Sequence, residues 1–102
     1  MAVTTPRRFE VHTREDAGAV VVAVLGEIDM ATAPALESAL ADALVRASAV
    51  TVDLDACDFM DSSGVHVLER AGGRGRLRVR CSDAGPAARA LVLAGFPLHA
   101  AA

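Results

Sequence analysis

The chain has 102 residues, 53% of them hydrophobic and 23% charged, with a formal net charge of −3. This is enough for one domain with its own core, and too apolar for an intrinsically disordered chain. Thirteen acids against ten arginines, no lysine, and only three phenylalanines to stack on bases make nucleic acid an unsuitable ligand, so protein partners are expected.

The charge is unevenly spread. Residues 1–60 hold four arginines and ten acids, residues 61–102 six arginines and three acids. The longest apolar run, Ala17 to Leu25, falls far short of the ~20 residues that a membrane span needs. Met1 to Arg8 lacks the apolar core of a secretory signal. No membrane insertion and a cytoplasmic location are therefore the expectation. Cys57 and Cys81 belong to no paired-cysteine motif and read as small buried hydrophobes. His12, His66 and His99 are scattered, and His66 with Glu69 offers too few ligands for a structural metal site. No phosphate-cradling glycine loop occurs either, so neither metal nor cofactor is expected.

In chain order, Arg8 to Thr13 alternates polar and apolar residues as a half-buried strand does, and Glu15-Asp16-Ala17-Gly18 signals a hairpin turn. Ala19 to Leu25 is continuously apolar and valine-rich, which predicts a central strand buried on both faces. Gly26-Glu27-Ile28-Asp29 leads to Thr32-Ala33-Pro34, where Thr32 is suited to cap a helix and Pro34 is tolerated in its first turn. Leu36, Leu40 and Leu44 give that helix an apolar stripe, and it should end near Ala47-Ser48. The third strand, from Ala49, puts Val50, Val52 and Leu54 on one face and Thr51, Asp53 and Asp55 on the other.

A short helix from about Ser63 to Ala71 follows, stopped by Gly72-Gly73. Arg76 to Cys81 alternates again, and the arginines at 74, 76, 78 and 80 read as a solvated, aggregation-resistant sheet face. Ser82-Asp83-Ala84 should cap a last helix that runs to Gly95. Phe96-Pro97-Leu98 either begins a fifth edge strand or covers the core. One domain over residues 1–102 is expected, ordered from about 8 to 96, with residues 1–6 and 99–102 frayed. The order strand, strand, helix, strand, helix, strand, helix implies an α/β fold with a mixed sheet of four to five strands, and the two wet-faced strands put the helices mainly on one face.

The stretch Phe59-Met60-Asp61-Ser62-Ser63-Gly64-Val65 puts small hydroxyls at the amino end of a helix, where unpaired N–H groups and the helix dipole favour an anion. Ser62 or Ser63 there either caps the helix or carries a modification. An enzyme is not expected, because Ser62 lacks a glycine-flanked nucleophile elbow and no histidine is marked as its base.

Taken together, Gly26-Glu27-Ile28-Asp29, Thr32-Ala33-Pro34, Val52-Asp53-Leu54 and the Asp61-Ser62-Ser63-Gly64 turn resemble the STAS domain. Within it, the resemblance is to the bacterial anti-sigma factor antagonists, over about residues 8–96. It implies that the unmodified protein binds an anti-sigma factor that is also a serine kinase, and so frees a sigma factor. The kinase would silence it by phosphorylating Ser62, and a metal-dependent serine phosphatase would restore it. Asp29 and Asp61 would flank the phosphoacceptor, Ser63 and Gly64 would shape the turn, and Thr32 would complete the partner-binding set. A second helix shorter than is usual in the family, and an abbreviated end after Phe96, depart from the pattern. The alternative is a non-switching STAS subunit of a transporter or larger signalling complex.

Overall fold

A computed structural model describes residues 8–72, 76–81 and 86–93, without the side chains of residues 16, 86, 92 and 93. Along the chain these residues form β1 (Glu10–Asp16), β2 (Ala19–Ile28), α1 (Ala33–Arg46), β3 (Val50–Asp53), β4 (Cys57–Met60), α2 (Ser62–Gly72), β5 (Leu77–Arg80) and α3 (Pro86–Leu93). The sheet runs β1-β2-β3-β5, with β4 also paired to β2. It is the expected mixed α/β sheet, at the upper end of the expected strand number.

β1 and β2 form the hairpin, pairing Asp16 with Ala19 across the two-residue loop Ala17-Gly18. Both loop residues have positive φ, 52° and 84°, the geometry of a tight turn that follows the twist of the strands. The other pairings are parallel. β3 runs beside Val20 to Ala23 of β2, and β4 runs beside Gly26 to Ile28 with a register shift between Gly26 and Glu27. β5 closes the path against β3.

β4 was not among the expected elements. Cys57-Asp58-Phe59-Met60 has two buried ends and an exposed middle, so it carries no period-2 signal. It becomes a strand because a turn, Cys57 N–H to the Leu54 carbonyl at 3.0 Å, feeds it back onto the free end of β2.

The expectation that β2 is buried on both faces is corrected. Val20, Val22, Val24 and Ile28 are buried, whereas Ala19, Val21, Ala23, Leu25 and Glu27 between them are only half-buried. The helix-facing side carries the core, which Leu36, Leu40, Leu54, Leu68, Val79 and Leu91 complete. The other side is screened by polar and charged neighbours in register with β2, among them His12 and Asp53 opposite Ala23 and Arg14 opposite Val21.

The arginines of the β5 segment divide. Arg78 is exposed. Arg76 donates to the carbonyls of Leu44 and Ala47 at 3.1 Å each, capping the negative end of α1. Arg80 pairs with Asp53, its cross-strand neighbour, at 3.0 Å. Arg74, the cap at Ser82-Asp83-Ala84, the segment Phe96-Pro97-Leu98 and the chain ends expected to fray lie outside the described residues.

Candidate functional site

The carboxyl-terminal ends of β2 and β4 lie side by side, with Ile28 in register with Met60, and each strand hands its chain to a helix through an aspartate. One step past the last pair, the Asp61 N–H donates to the Ile28 carbonyl at 3.0 Å. The fold thus sets Asp61 next to Asp29, although 32 positions separate them in the chain.

Asp29 organises the entry to α1. Its Oδ1 accepts from the N–H groups of Ala31 (2.9 Å) and Thr32 (3.0 Å), and its carbonyl accepts from Ala33 N–H at 2.8 Å. The Thr32 side chain does not make the expected cap bond to the first turn of α1. Its hydroxyl accepts from Asp29 N–H at 2.9 Å and donates back to the Glu27 carbonyl at 3.0 Å. The Ala35 N–H that a threonine cap would serve goes to the Thr32 carbonyl at 3.1 Å instead, and the hydroxyl ties the turn to the strand end.

Asp61 does the same for α2. Its Oδ1 accepts from Ser63 N–H at 2.8 Å, and its carbonyl accepts from the N–H groups of Gly64 (3.1 Å) and Val65 (3.3 Å). The capping group is therefore neither serine hydroxyl but the aspartate before them. Ser63 is half-buried. Ser62, the first residue of α2, is exposed, and its hydroxyl makes no hydrogen bond among the described residues.

Gly64 shows why the helix can begin so close to the sheet. A Cβ there would stand 2.7 Å from Ile28 Cγ2 and 2.7 Å from Met60 Cγ, nearer than carbon atoms can pack. Only glycine lets the first turn of α2 rest on the paired ends of β2 and β4. All six expected site residues, Asp29, Thr32, Asp61, Ser62, Ser63 and Gly64, therefore belong to one continuous piece of structure.

Two residues of this region are not among the expected site residues. Met30 is 78% exposed in the turn after Asp29, and Phe59 is 44% exposed on β4, two residues before Asp61. The available signal was a large apolar side chain inside a polar turn motif.

The remaining chemistry lies elsewhere. A groove of about 340 Å³ lies between α1 and α2, lined by Leu44, Val45, Val67 and Ala71 among others. Glu37 and Arg70 bridge it at 2.7 Å. Both are well exposed, so the pair is worth at most about 1 kcal/mol. Cys57 is buried, with its thiol against the Phe59 carbonyl at 3.2 Å, and burial pushes its pKa up. Among the described residues no group of three or more His, Cys, Asp or Glu could hold a metal ion, and no helix is long and apolar enough to cross a membrane.

A sheet with helices on one face, and two aspartates closing adjacent strand ends below an exposed serine, describes a STAS domain. The STAS domain family model matches residues 9–79, and the chain belongs to that family. The relatives it matches are anti-sigma factor antagonists. It is 33% identical over 67 residues to the anti-sigma-F factor antagonist RsfB of Mycobacterium tuberculosis, in strains CDC 1551 / Oshkosh and H37Rv alike, across 65% of this chain and 55% of the relative. The chain thus spans about half the length of the curated relatives it matches.

Among solved structures it is similar to an anti-sigma factor antagonist from Mycobacterium paratuberculosis, with a TM-score of 0.82 and 31% identity over 95% of this chain and 90% of that one. The anti-sigma factor antagonist SpoIIAA, solved in its unphosphorylated form, shares the fold at a TM-score of 0.63 and 20% identity, over 93% of this chain and 90% of that one.

Proposed function

We propose that this protein is an anti-sigma factor antagonist, a binding protein and not an enzyme. Its unmodified form docks on an anti-sigma factor that is also a serine kinase and frees a sigma factor for transcription. Phosphorylation of Ser62 ends the docking, and a metal-dependent serine phosphatase restores it. Asp29, Thr32, Asp61, Ser63 and Gly64 form the docking surface around the serine, and the exchange takes place in the cytoplasm. The observation that carries this reading is the exposed Ser62 hydroxyl at the head of α2, relieved of capping duty by Asp61. A kinase can reach such an oxygen without opening the fold.

The energetics favour a switch of binding over a switch of folding. A phosphate on Ser62 adds about −1.5 to −2 charge units at a helix end that tolerates an anion. The same group stands close to Asp61 and its neighbour Asp29. For charges ~5 Å apart at an effective dielectric of ~20, each unit pair costs about 3 kcal/mol before salt screening. Water screens this on the free protein. A partner that displaces the water would lose one to three powers of ten in affinity, at about 1.4 kcal/mol each.

The test is incubation of the purified protein with ATP and each anti-sigma factor kinase of the source genome, followed by mass mapping of phosphate and by titration calorimetry. Phosphate on Ser62, tight binding by Ser62→Ala and weak binding by Ser62→Glu are the expected results. Repeated absence of phosphate on Ser62 would point instead to a non-switching STAS subunit of a transporter or larger signalling assembly.

A further inference from the structure

Among the described residues, three large apolar side chains stand exposed: Met30 (78%), Val45 (86%) and Phe59 (44%). Val45 belongs to the groove between α1 and α2. The other two flank the switch, Met30 directly after Asp29 and Phe59 two residues before Asp61, on chain segments held together by the Ile28–Met60 pairing. Exposed apolar side chains of this size, gathered around a few polar groups, are the usual make-up of a binding hot spot.

Charge defines what such a surface accepts. Residues 26–36 and 57–68, which contain both strand ends and the first turns of both helices, hold four acids, Glu27, Asp29, Asp58 and Asp61, and no arginine or lysine. Asp29 and Asp61 each use Oδ1 for the turn that follows, and Oδ2 of each has no partner among the described residues. Each can therefore take a charge-assisted hydrogen bond from outside. The complementary surface is apolar at its centre and basic at its rim.

Building on the functional reading above, we propose that Met30 and Phe59 are the apolar anchors of the docking face, and that its occupant is an anti-sigma factor presenting apolar pockets ringed by arginine or lysine. This changes how a phosphate on Ser62 acts. Against a basic partner its charge alone would attract. It is excluded because the anchors draw the turn into a contact without water, where a dianion beside two carboxylates must be stripped of its hydration.

The experiment uses the whole chain and the purified anti-sigma factors of the source genome, with binding measured by calorimetry and folding checked by circular dichroism. Met30→Ala and Phe59→Ala should each weaken binding about tenfold or more, whereas Val45→Ala should stay within about twofold. Affinity should fall as salt rises from about 0.05 to about 0.5 M, because the rim contacts are screened. The ratio of wild-type to Ser62→Glu affinity should persist at high salt, because dehydration is not screened.

Anchor variants that fold and bind like the wild type would overturn the proposal and leave the functional reading standing. So would a ratio that collapses at high salt. A wild-type chain that binds none of these anti-sigma factors would overturn the functional reading, and the anchors with it.

Discussion

The N–H of Asp61 donates to the carbonyl of Ile28 at 3.0 Å, and this bond joins the two halves of the site. It extends the β2–β4 pairing by one step, so that the two aspartates capping the turns into α1 and α2 become neighbours. Asp61 then caps α2 through Ser63 N–H. Asp61→Ala should cost about 1 kcal/mol through loss of that cap, and Asp61→Asn far less, since an amide oxygen accepts equally well. Thermal unfolding of the two variants measures the difference, at roughly 4–8 °C per kcal/mol for a domain of this size.

Gly64 packs where a methyl group cannot. Ile28 Cγ2 and Met60 Cγ would each lie 2.7 Å from an added Cβ, and Ile28 is fully buried, so it has no room to yield. Gly64→Ala should therefore destabilise the fold by about 1–3 kcal/mol through overpacking. In urea unfolding the midpoint should fall with the slope unchanged. A midpoint equal to that of the wild type would mean that α2 does not sit this close to the sheet.

Ala17 holds a left-handed conformation, φ 52°, in the hairpin loop. For a residue with a Cβ this costs roughly 1 kcal/mol, and asparagine before glycine is the preferred pair in such a loop. Ala17→Asn should raise the melting temperature by a few degrees without affecting the distant Ser62. Calorimetric scans of the two proteins decide it.

Burial raises the pKa of the Cys57 thiol. Below the ordinary thiol range, about 8.5, the folded and unfolded chains both keep the proton, and stability is unaffected. Above it the unfolded chain loses the proton first, so the contribution of this thiol declines as pH climbs towards its folded-state pKa. Denaturation midpoints between about pH 8 and pH 10 should show a decline that Cys57→Ala lessens. At neutral pH a thiol reagent should label the half-buried Cys81 faster than Cys57.

Much of this molecule can be read from its residues because the signals are local. Alternation in Val50 to Leu54, leucines at 36 and 40 on one stripe, and the Asp-Ser-Ser-Gly turn each report a backbone period or a dihedral preference that neighbouring residues share. The hairpin at Ala17-Gly18, the helices and the candidate serine all follow from such patterns. β2 misled because continuous valine carries no period, so nothing local says that one of its faces lies beneath charged neighbours instead of a second helix layer.

What the tertiary structure alone decided are relations between distant segments. β4 exists because β2 extends past β3 and leaves a free edge for Cys57 to Met60, a matter of register that no short window contains. Asp61, and not a serine, caps α2, and Asp29, and not Thr32, caps the turn into α1, because backbone direction at a strand end selects among equally able oxygens. Gly64 is obligatory only once the ends of two strands lie beneath it. Chain chemistry named the residues of the site, and packing placed them side by side, since a parallel ladder aligns strand ends however far apart in sequence they stand.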